Sequence, residues 1–194
     1  SKSKMNGFGS KLKENREELA GVAAGGAFAI GAALKKFSDF EHQMVRVRQK
    51  TGANEDQFKD LRDEAYRLGK QTAFSIQEVA GAQIKLAQAG NDVNEIVGTL
   101  PDVLNLAATS ELNLSQSAGL ASDIMKSMGL SVKDTTRIVD NLTVTSNEAN
   151  TSVGEVGMAM SYAAPAAHQL GFSLENVSSA IGLMANTAKG SKAG

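Results

Sequence analysis

The sequence predicts an all-α fold, a bundle of about eight short helices preceded by one long amphipathic helix. Helix-capping residues recur along the chain, and the apolar residues between them stand three or four apart, as on one face of a helix. Only 5% of the 194 residues are aromatic and two are prolines. Ala, Leu, Val and Met must therefore fill the core, which favours close helix packing over a β-sandwich.

The amino-terminal quarter predicts the long amphipathic helix, from about Leu12 to Gln49. Its second half carries apolar residues at helical spacing, namely Leu34, Phe37, Phe40, Met44 and Val47. Residues 20–34 form an uncharged run rich in alanine and glycine. The run is shorter than the roughly 20 apolar residues that span a bilayer, so it predicts close packing against another helix. Membrane contact through residues 20–34 and disorder remain the alternatives.

Capping residues and glycine stops predict the next three helices in order. Their boundaries are Asn54 to Gly69, Ser75 to Gly90, and Asp92 to the turn at 99–102. Proline is tolerated only in the first turn of a helix. Pro101 therefore predicts a break and a new helix that starts at Thr99.

Serines mark five helix starts, and in four of them an apolar residue stands just before the serine. The five are Ser75, Ser115, Ser131, Ser152 and Ser173. An acid three residues after Ser75, Ser131 and Ser152 completes a capping box. Phe74 with Val79, and Phe172 with Val177, can close as hydrophobic staples. The predicted helices are 115–128, 131–147, one from residue 152 that Pro165 kinks or ends, and 173 to about 188.

Charge divides the chain into two parts. Residues 1–50 hold ten Lys or Arg against five acids, a net +5, which leaves −6 for residues 51–194 from the total of −1. The predicted organisation is a basic amino-terminal helical segment, 1–50, and a compact all-α domain, 51–194, truncated at its carboxyl end. Nucleic-acid contact is the weaker interpretation of the basic end, because its Lys and Arg alternate with Glu and no aromatic residues are interleaved.

Catalytic and ligand-binding patterns are missing, so the sequence predicts no enzyme and no catalytic, cofactor or metal site. With no cysteine, disulfides and thiolate chemistry are excluded. His42 and His168 have no partner at metal-ligand spacing. The carboxylates of Glu78, Asp92, Glu95 and Asp102 lie at predicted helix starts, where capping explains them without a catalytic role. The segment 190–192 matches only the end of a phosphate-binding loop, without its earlier glycine.

Nine short stretches follow one another in a fixed order. They are FEHQM (40–44) leading to TGA (51–53), LGKQTAFS (68–75), LAQAG (86–90), LPDVLNLAA (100–108), SDI (122–124), MGL (128–130), TSV (151–153), MSYAAPAA (160–167) and LGFSLE (170–175). In this order they resemble the core of phage tail tape measure proteins. The closing stretch, 189–194, matches a family phrase that continues into further helix. The resemblance therefore implies an amino-terminal piece of a longer protein.

The resemblance implies a mechanical function. Tape measure proteins are helical rulers inside the tail tube that set tail length and leave ahead of or with the DNA. A helix rises about 1.5 Å per residue, so residue count translates into distance. The implied partners are sister copies in a homo-oligomer, tail tube and tail tip proteins, and tail assembly chaperones. The implied location is the tail lumen of the virion, and the host cytoplasm during assembly.

This segment has too many helix breaks for the extended ruler, so we expect a compact domain attached to one end of it. A membrane-active ejection module, which inserts residues 20–34 and helps the genome through the host envelope, is the alternative function. An enzyme such as a cell-wall hydrolase fits least, because no pair of acid and base residues is left once helix capping is taken into account.

Overall fold

A computed structural model describes residues 35–190. Two units divide the chain, 1–41 and 42–194. In the first unit the described residues, 35–41, are helical. The described part of the chain contains eight α-helices, one turn of 3₁₀ helix and no strand. The predicted all-α class is confirmed. Most of the predicted helix Leu12–Gln49, including the run 20–34, lies outside the described residues.

The helices follow one another with short connections. Residues 35–51 form α1. The others are α2 (Glu55–Gln71), α3 (Ile76–Gln88), α4 (Val93–Thr109), α5 (Leu114–Ser127), α6 (Thr135–Glu148), α7 (Val153–Gln169) and α8 (Leu174–Gly190), with the 3₁₀ turn Val132–Asp134 before α6. Helices α4 and α5 are central, because each contacts helices that precede it and helices that follow it in the sequence. Helix α8 packs on α6 and α7.

Capping boxes begin most of these helices, as the sequence predicts. The predicted caps Asn54, Ser75, Asp92 and Ser152 each accept a hydrogen bond from the backbone N–H three residues on. Ser173 does the same with the N–H of Asn176, at 3.3 Å. Each bond satisfies one of the four N–H groups that a helix start leaves without a partner.

Two of the predicted serine starts are corrected. Asn113, rather than Ser115, caps α5: its Oδ1 accepts from the N–H of Gln116, and the side chain of Gln116 accepts from the N–H of Asn113, both at 2.9 Å. This earlier start buries Leu114. Ser131 opens the 3₁₀ turn instead of an α-helix, and its Oγ donates to the carboxylate of Asp134 at 2.9 Å.

The two prolines do not end their helices. The break predicted at Thr99 is wrong, because α4 runs without interruption through Pro101. The ring lies on the exposed side of α4, while Leu100 and Val103 beside it are fully buried. A proline inside a helix costs about 3 kcal/mol, and two such side chains recover as much by burial, at about 1.5–3 kcal/mol each. Pro165 is likewise exposed, and α7 continues four residues beyond it.

Glycines with positive φ close several helices. Gly90, a predicted stop, has a φ of +86°, and Gly129 has +63°, a conformation that costs glycine little. The stop predicted at Gly69 is wrong, since α2 continues to Gln71. A Cβ at Gly69 would lie 2.9 Å from the backbone nitrogen of Ile76. Gly69 therefore serves the close approach of α2 to the start of α3.

A continuous apolar core fills the second half of the bundle. It consists of side chains from α4 to α8: Leu106, Ile124, Met125, Met128, Ile138, Val139, Leu142, Val153, Val156, Met160, Ala164, Leu174, Val177 and Ile181. In the first half, the side-chain amide of Gln83 is fully buried and donates to the carbonyl of Leu61 at 2.9 Å. Leucine, valine and alanine recur among the buried residues of both halves, as the composition predicts, whereas three of the four buried methionines of the described residues belong to the second half.

Candidate interaction surface

The residues that the sequence singled out for chemistry lie apart. His42 is exposed on α1, and His168 is exposed on α7 with its ring against Gly129. Within residues 35–190, no three His, Asp or Glu side chains lie close enough together to hold a metal ion. Most of the segment 190–192 lies outside the described residues.

The singled-out carboxylates accept hydrogen bonds from their own helices or from a neighbour. Glu78 accepts from the N–H of Ser75 at 2.8 Å, and this bond, with a second from the Ser75 hydroxyl, lowers the pKa of Glu78. Glu95 accepts from the N–H of Asp92 in the same way, at 2.8 Å. Asp102 lies in the middle of α4 rather than in a first turn, and it accepts from the hydroxyl of Thr136 on α6 at 2.9 Å. These contacts make the carboxylates structural.

Two contacts that sequence reasoning missed join the helices around α7 and α8. The Glu111 carboxylate, in the loop before α5, accepts from the N–H of Gly154 at 2.7 Å. Partial burial raises the pKa of Glu111, but hydrogen bonds from backbone N–H groups and a hydroxyl outweigh it, and the pKa is lowered. Arg137 on α6 donates two hydrogen bonds to Glu175 on α8, at 2.6 and 2.7 Å, which lower the pKa of Glu175 to about 2.

Helices α7 and α8 carry very little charge. From residue 156 to residue 188, Glu175 is the one Asp, Glu, Lys or Arg, whereas α2 has nine such residues among its 17. Several large apolar side chains of the two helices and the turn between them are nonetheless exposed: Met158, Tyr162, Leu170, Phe172, Leu183 and Met184. We call this exposed side the α7–α8 surface. Phe172 and Met184 line a groove between α7 and α8, whereas Met158 and Tyr162 line a separate depression toward α5.

An apolar groove runs between α7 and α8 on this surface. Its volume is about 250 Å³, and seven of its eight lining residues are apolar. Ala163 and Ala167 of α7 form one wall, and Val177, Ile181 and Met184 of α8 form the other. The groove forms because small residues on α7 lie opposite larger residues on α8.

A second depression lies between α5 and α7. It measures about 710 Å³, and Met158 and Tyr162 line it together with polar and charged residues that include Lys85 and Asp123. Tyr162 is 82% exposed. This depression is wider than the groove, has both polar and apolar lining residues, and is open to solvent at Tyr162.

Length and hydropathy distinguish the described helices from membrane spans. None of the helices within residues 35–190 is both long and apolar enough to cross a bilayer. The run 20–34, which carries the predicted membrane contact, lies outside this range.

Comparison with known proteins relates this all-α domain to phage tails. The family model described as "Phage-related minor tail protein" matches residues 62–194. The chain belongs to this family. The family resemblance seen in the sequence is confirmed, because the curated relatives are themselves named as tape measure proteins. Membership gives the chain a structural role in the phage tail, which is a component of the virion.

Three curated relatives illustrate the similarity. The tape measure protein of Pneumococcus phage Dp-1 is 35% identical over 84% of this chain and 14% of its own length. Probable tape measure proteins of Escherichia phage P2 and Clostridium phage phiCD119 are 31% and 22% identical, over 84% and 81% of this chain and 20% and 17% of their own lengths. The chain thus spans between one seventh and one fifth of the curated relatives it matches. No solved structure matches it.

Proposed function

We propose that this chain is part of a tape measure protein, which sets tail length during assembly and leaves the tail tube ahead of or with the DNA. The observation that carries the proposal is the 35% identity to a named tape measure protein over 84% of the chain. The family model, which covers residues 62–194, supports it independently.

Within that protein, we assign the described helices to a compact domain rather than to the ruler. A ruler must translate residue number into length, which requires one continuous helix. Here no α-helix bounded at both ends within residues 35–190 exceeds 17 residues, and the helices pack against one another. We extend the assignment to a division between a basic segment, 1–50, and the compact domain, 51–194.

The proposed partners follow from the same role. They are sister copies in a homo-oligomer inside the tail tube, tail tube and tail tip proteins, and tail assembly chaperones before the tube closes. The work is mechanical and needs no active site. The carboxylates that could have served an acid–base reaction are engaged in helix starts and helix contacts.

Tail length in a phage that encodes this segment tests the proposal. Deleting α4, Val93–Thr109, removes 17 residues, which as ruler would shorten the tail by about 25 Å. We expect instead that tails fail to assemble. The matched control is Leu100→Asp, which keeps the residue number but places a charge at a fully buried position.

The two variants separate the possible outcomes in electron micrographs. Loss of tails in both variants supports a folded assembly domain. Tails of normal length in Leu100→Asp, with proportionally shorter tails in the deletion, would show that the segment itself acts as ruler. Normal tails in both would contradict the proposed function as a whole.

A further inference from the structure

The helix boundaries recur along the chain with a nearly constant spacing. Glycines with positive φ stand 38, 39 and 42 residues apart, at Gly52, Gly90, Gly129 and Gly171. Two residues after each glycine stands the N-cap of the next helix or 3₁₀ turn, namely Asn54, Asp92, Ser131 and Ser173. The first three of these caps are each followed, 21 residues later, by a further cap, namely Ser75, Asn113 and Ser152. Such a spacing indicates tandem structural repeats.

The packing of the helices repeats in the same way. Between residues 55 and 190 each helix contacts the next helix and the one after it: α2 contacts α4, α3 contacts α5, α4 contacts α6, α5 contacts α7, and α6 contacts α8. The repeating unit is a pair of helices, which we call a hairpin: α3 with α4, α5 with α6, and α7 with α8. Helix α5 packs on both helices of the hairpin before it, and so does α7. Repeats that contact only their neighbours are typical of helical solenoids.

Several exposed residues of α8 correspond to buried residues of the earlier hairpins. Met184, which lines the groove between α7 and α8, has 63% of its surface accessible. Counted from the caps, its equivalents are Leu142 of α6 and Val103 of α4, and both are fully buried. Ala180 and Thr187 are likewise exposed, whereas their equivalents are buried. Those equivalents are Ile138 and Thr99 for Ala180, and Thr145 and Leu106 for Thr187.

Tyr162 of α7 shows the opposite behaviour. It is 82% exposed, and its equivalents Asp123 of α5 and Lys85 of α3 are exposed as well. Exposure at this position is therefore a property of every hairpin. Exposure at Met184 is a property of the last described hairpin alone, because the earlier hairpins are covered by the helices that follow them.

We propose that the groove between α7 and α8 receives the first helix of a further hairpin, formed by the sequence that follows in the longer protein. The inference rests on the proposed function, because it requires this chain to be part of a longer protein. A spacing of 21 residues from Ser173 places the start of that helix at about residue 194. Seven of the eight residues that line the groove are apolar, so an amphipathic helix packs its apolar side there.

The repeat favours a helix of the same polypeptide over a second copy of the chain. The exposed positions of α8 are those that the next hairpin covers elsewhere in this chain. In a repeat array each hairpin buries its apolar side against its neighbour, so the last one described needs a neighbour too.

Thiol labelling of single-cysteine variants tests the proposal, since the chain has no cysteine of its own. Met184→Cys reports on the groove, and Tyr162→Cys is the matched control. Each variant is made in the 194-residue chain and in the full-length protein of the same phage. We expect a maleimide to label Met184→Cys at least about tenfold more slowly in the full-length protein, because labelling then requires local opening. Tyr162→Cys should react at the same rate in both proteins.

The other outcomes contradict the proposal. Equal labelling of Met184→Cys in the two proteins would show that no following helix covers the groove. Slower labelling of both variants in the full-length protein would indicate general burial. Protection of Met184→Cys in the 194-residue chain that is lost on dilution would show that a second copy covers the groove. Circular dichroism establishes that the variants are folded, and Thr187→Cys replaces Met184→Cys if the latter is not. Labelling rates are independent of tail length, so this inference and the proposed function can fail separately.

Discussion

For Gly69→Ala, helix propensity alone predicts a gain in stability, whereas the structure predicts a loss. Replacing a glycine inside a helix by alanine ordinarily stabilises a protein by about 0.5–1 kcal/mol. At Gly69, however, a new Cβ would lie 2.9 Å from the backbone nitrogen and 3.1 Å from the Cα of Ile76. These are backbone atoms at the start of α3, so they cannot move aside as a flexible side chain would.

The expected magnitude follows from the two opposing effects. Overpacking typically costs about 1–3 kcal/mol, and the rigid backbone at Ile76 favours the upper part of that range. After the gain in helix propensity is subtracted, we expect Gly69→Ala to lower the free energy of unfolding by about 1–2 kcal/mol. For a chain of this size, this corresponds to a fall in Tm of about 2–8 °C.

Gly119→Ala is the matched control. Gly119 lies inside α5, and a Cβ there meets no atom within 4 Å. We expect this substitution to raise the free energy of unfolding by about 0.5–1 kcal/mol. Urea unfolding followed by circular dichroism measures both variants. If Gly69→Ala stabilises the protein as much as Gly119→Ala does, the close approach of α2 to α3 is refuted.

Three further predictions concern a cap, a proline and an ion pair. Asn113→Ala should destabilise the protein by about 1 kcal/mol and Ser115→Ala by only a few tenths, as judged by urea unfolding; the reverse order would restore Ser115 as the cap. Pro101→Ala should raise the free energy of unfolding by about 1–2 kcal/mol by restoring a helix hydrogen bond, and a lower Tm would contradict this. The pKa of Glu175, about 2 when folded against an ordinary 4.5, means that the folded state binds fewer protons. Its stabilisation is therefore present above pH 4.5 and is lost as the pH falls toward 2. With about half of each side chain exposed, we expect at most about 1 kcal/mol, and Glu175→Gln should remove that part of the pH dependence; an unchanged pH profile would refute the assignment.

Helix starts were predictable because capping is local. Asn54, Ser75, Asp92 and Ser152 each form their bonds within three residues, so neighbouring sequence contains the whole interaction. Ser115 shows the limit of such reasoning. Asn113 and Ser115 both suit a cap, and the signal that separates them is Gln116, which completes a capping box with Asn113, whereas Ser115 has Ala118 at that spacing.

The break predicted at Pro101 is wrong because the cost of a proline is local but its compensation is not. The lost hydrogen bond at Pro101 can be read from the sequence, whereas the burial of Leu100 and Val103 against other helices cannot. The α7–α8 surface was overlooked for a different reason. Its signal, a single charge between residues 156 and 188, was present in the sequence. It gains meaning only when the structure shows that Phe172, Leu183 and Met184 are exposed.

The most direct test of the proposed role is to locate this segment in the phage particle. Quantitative mass spectrometry of purified tails should detect peptides from residues 35–190, protected from added protease while the particle is intact. After ejection is triggered, the account predicts that these peptides leave the tail. Their absence from intact tails, or their digestion before ejection, would contradict the proposal that the chain is part of a tape measure inside the tube.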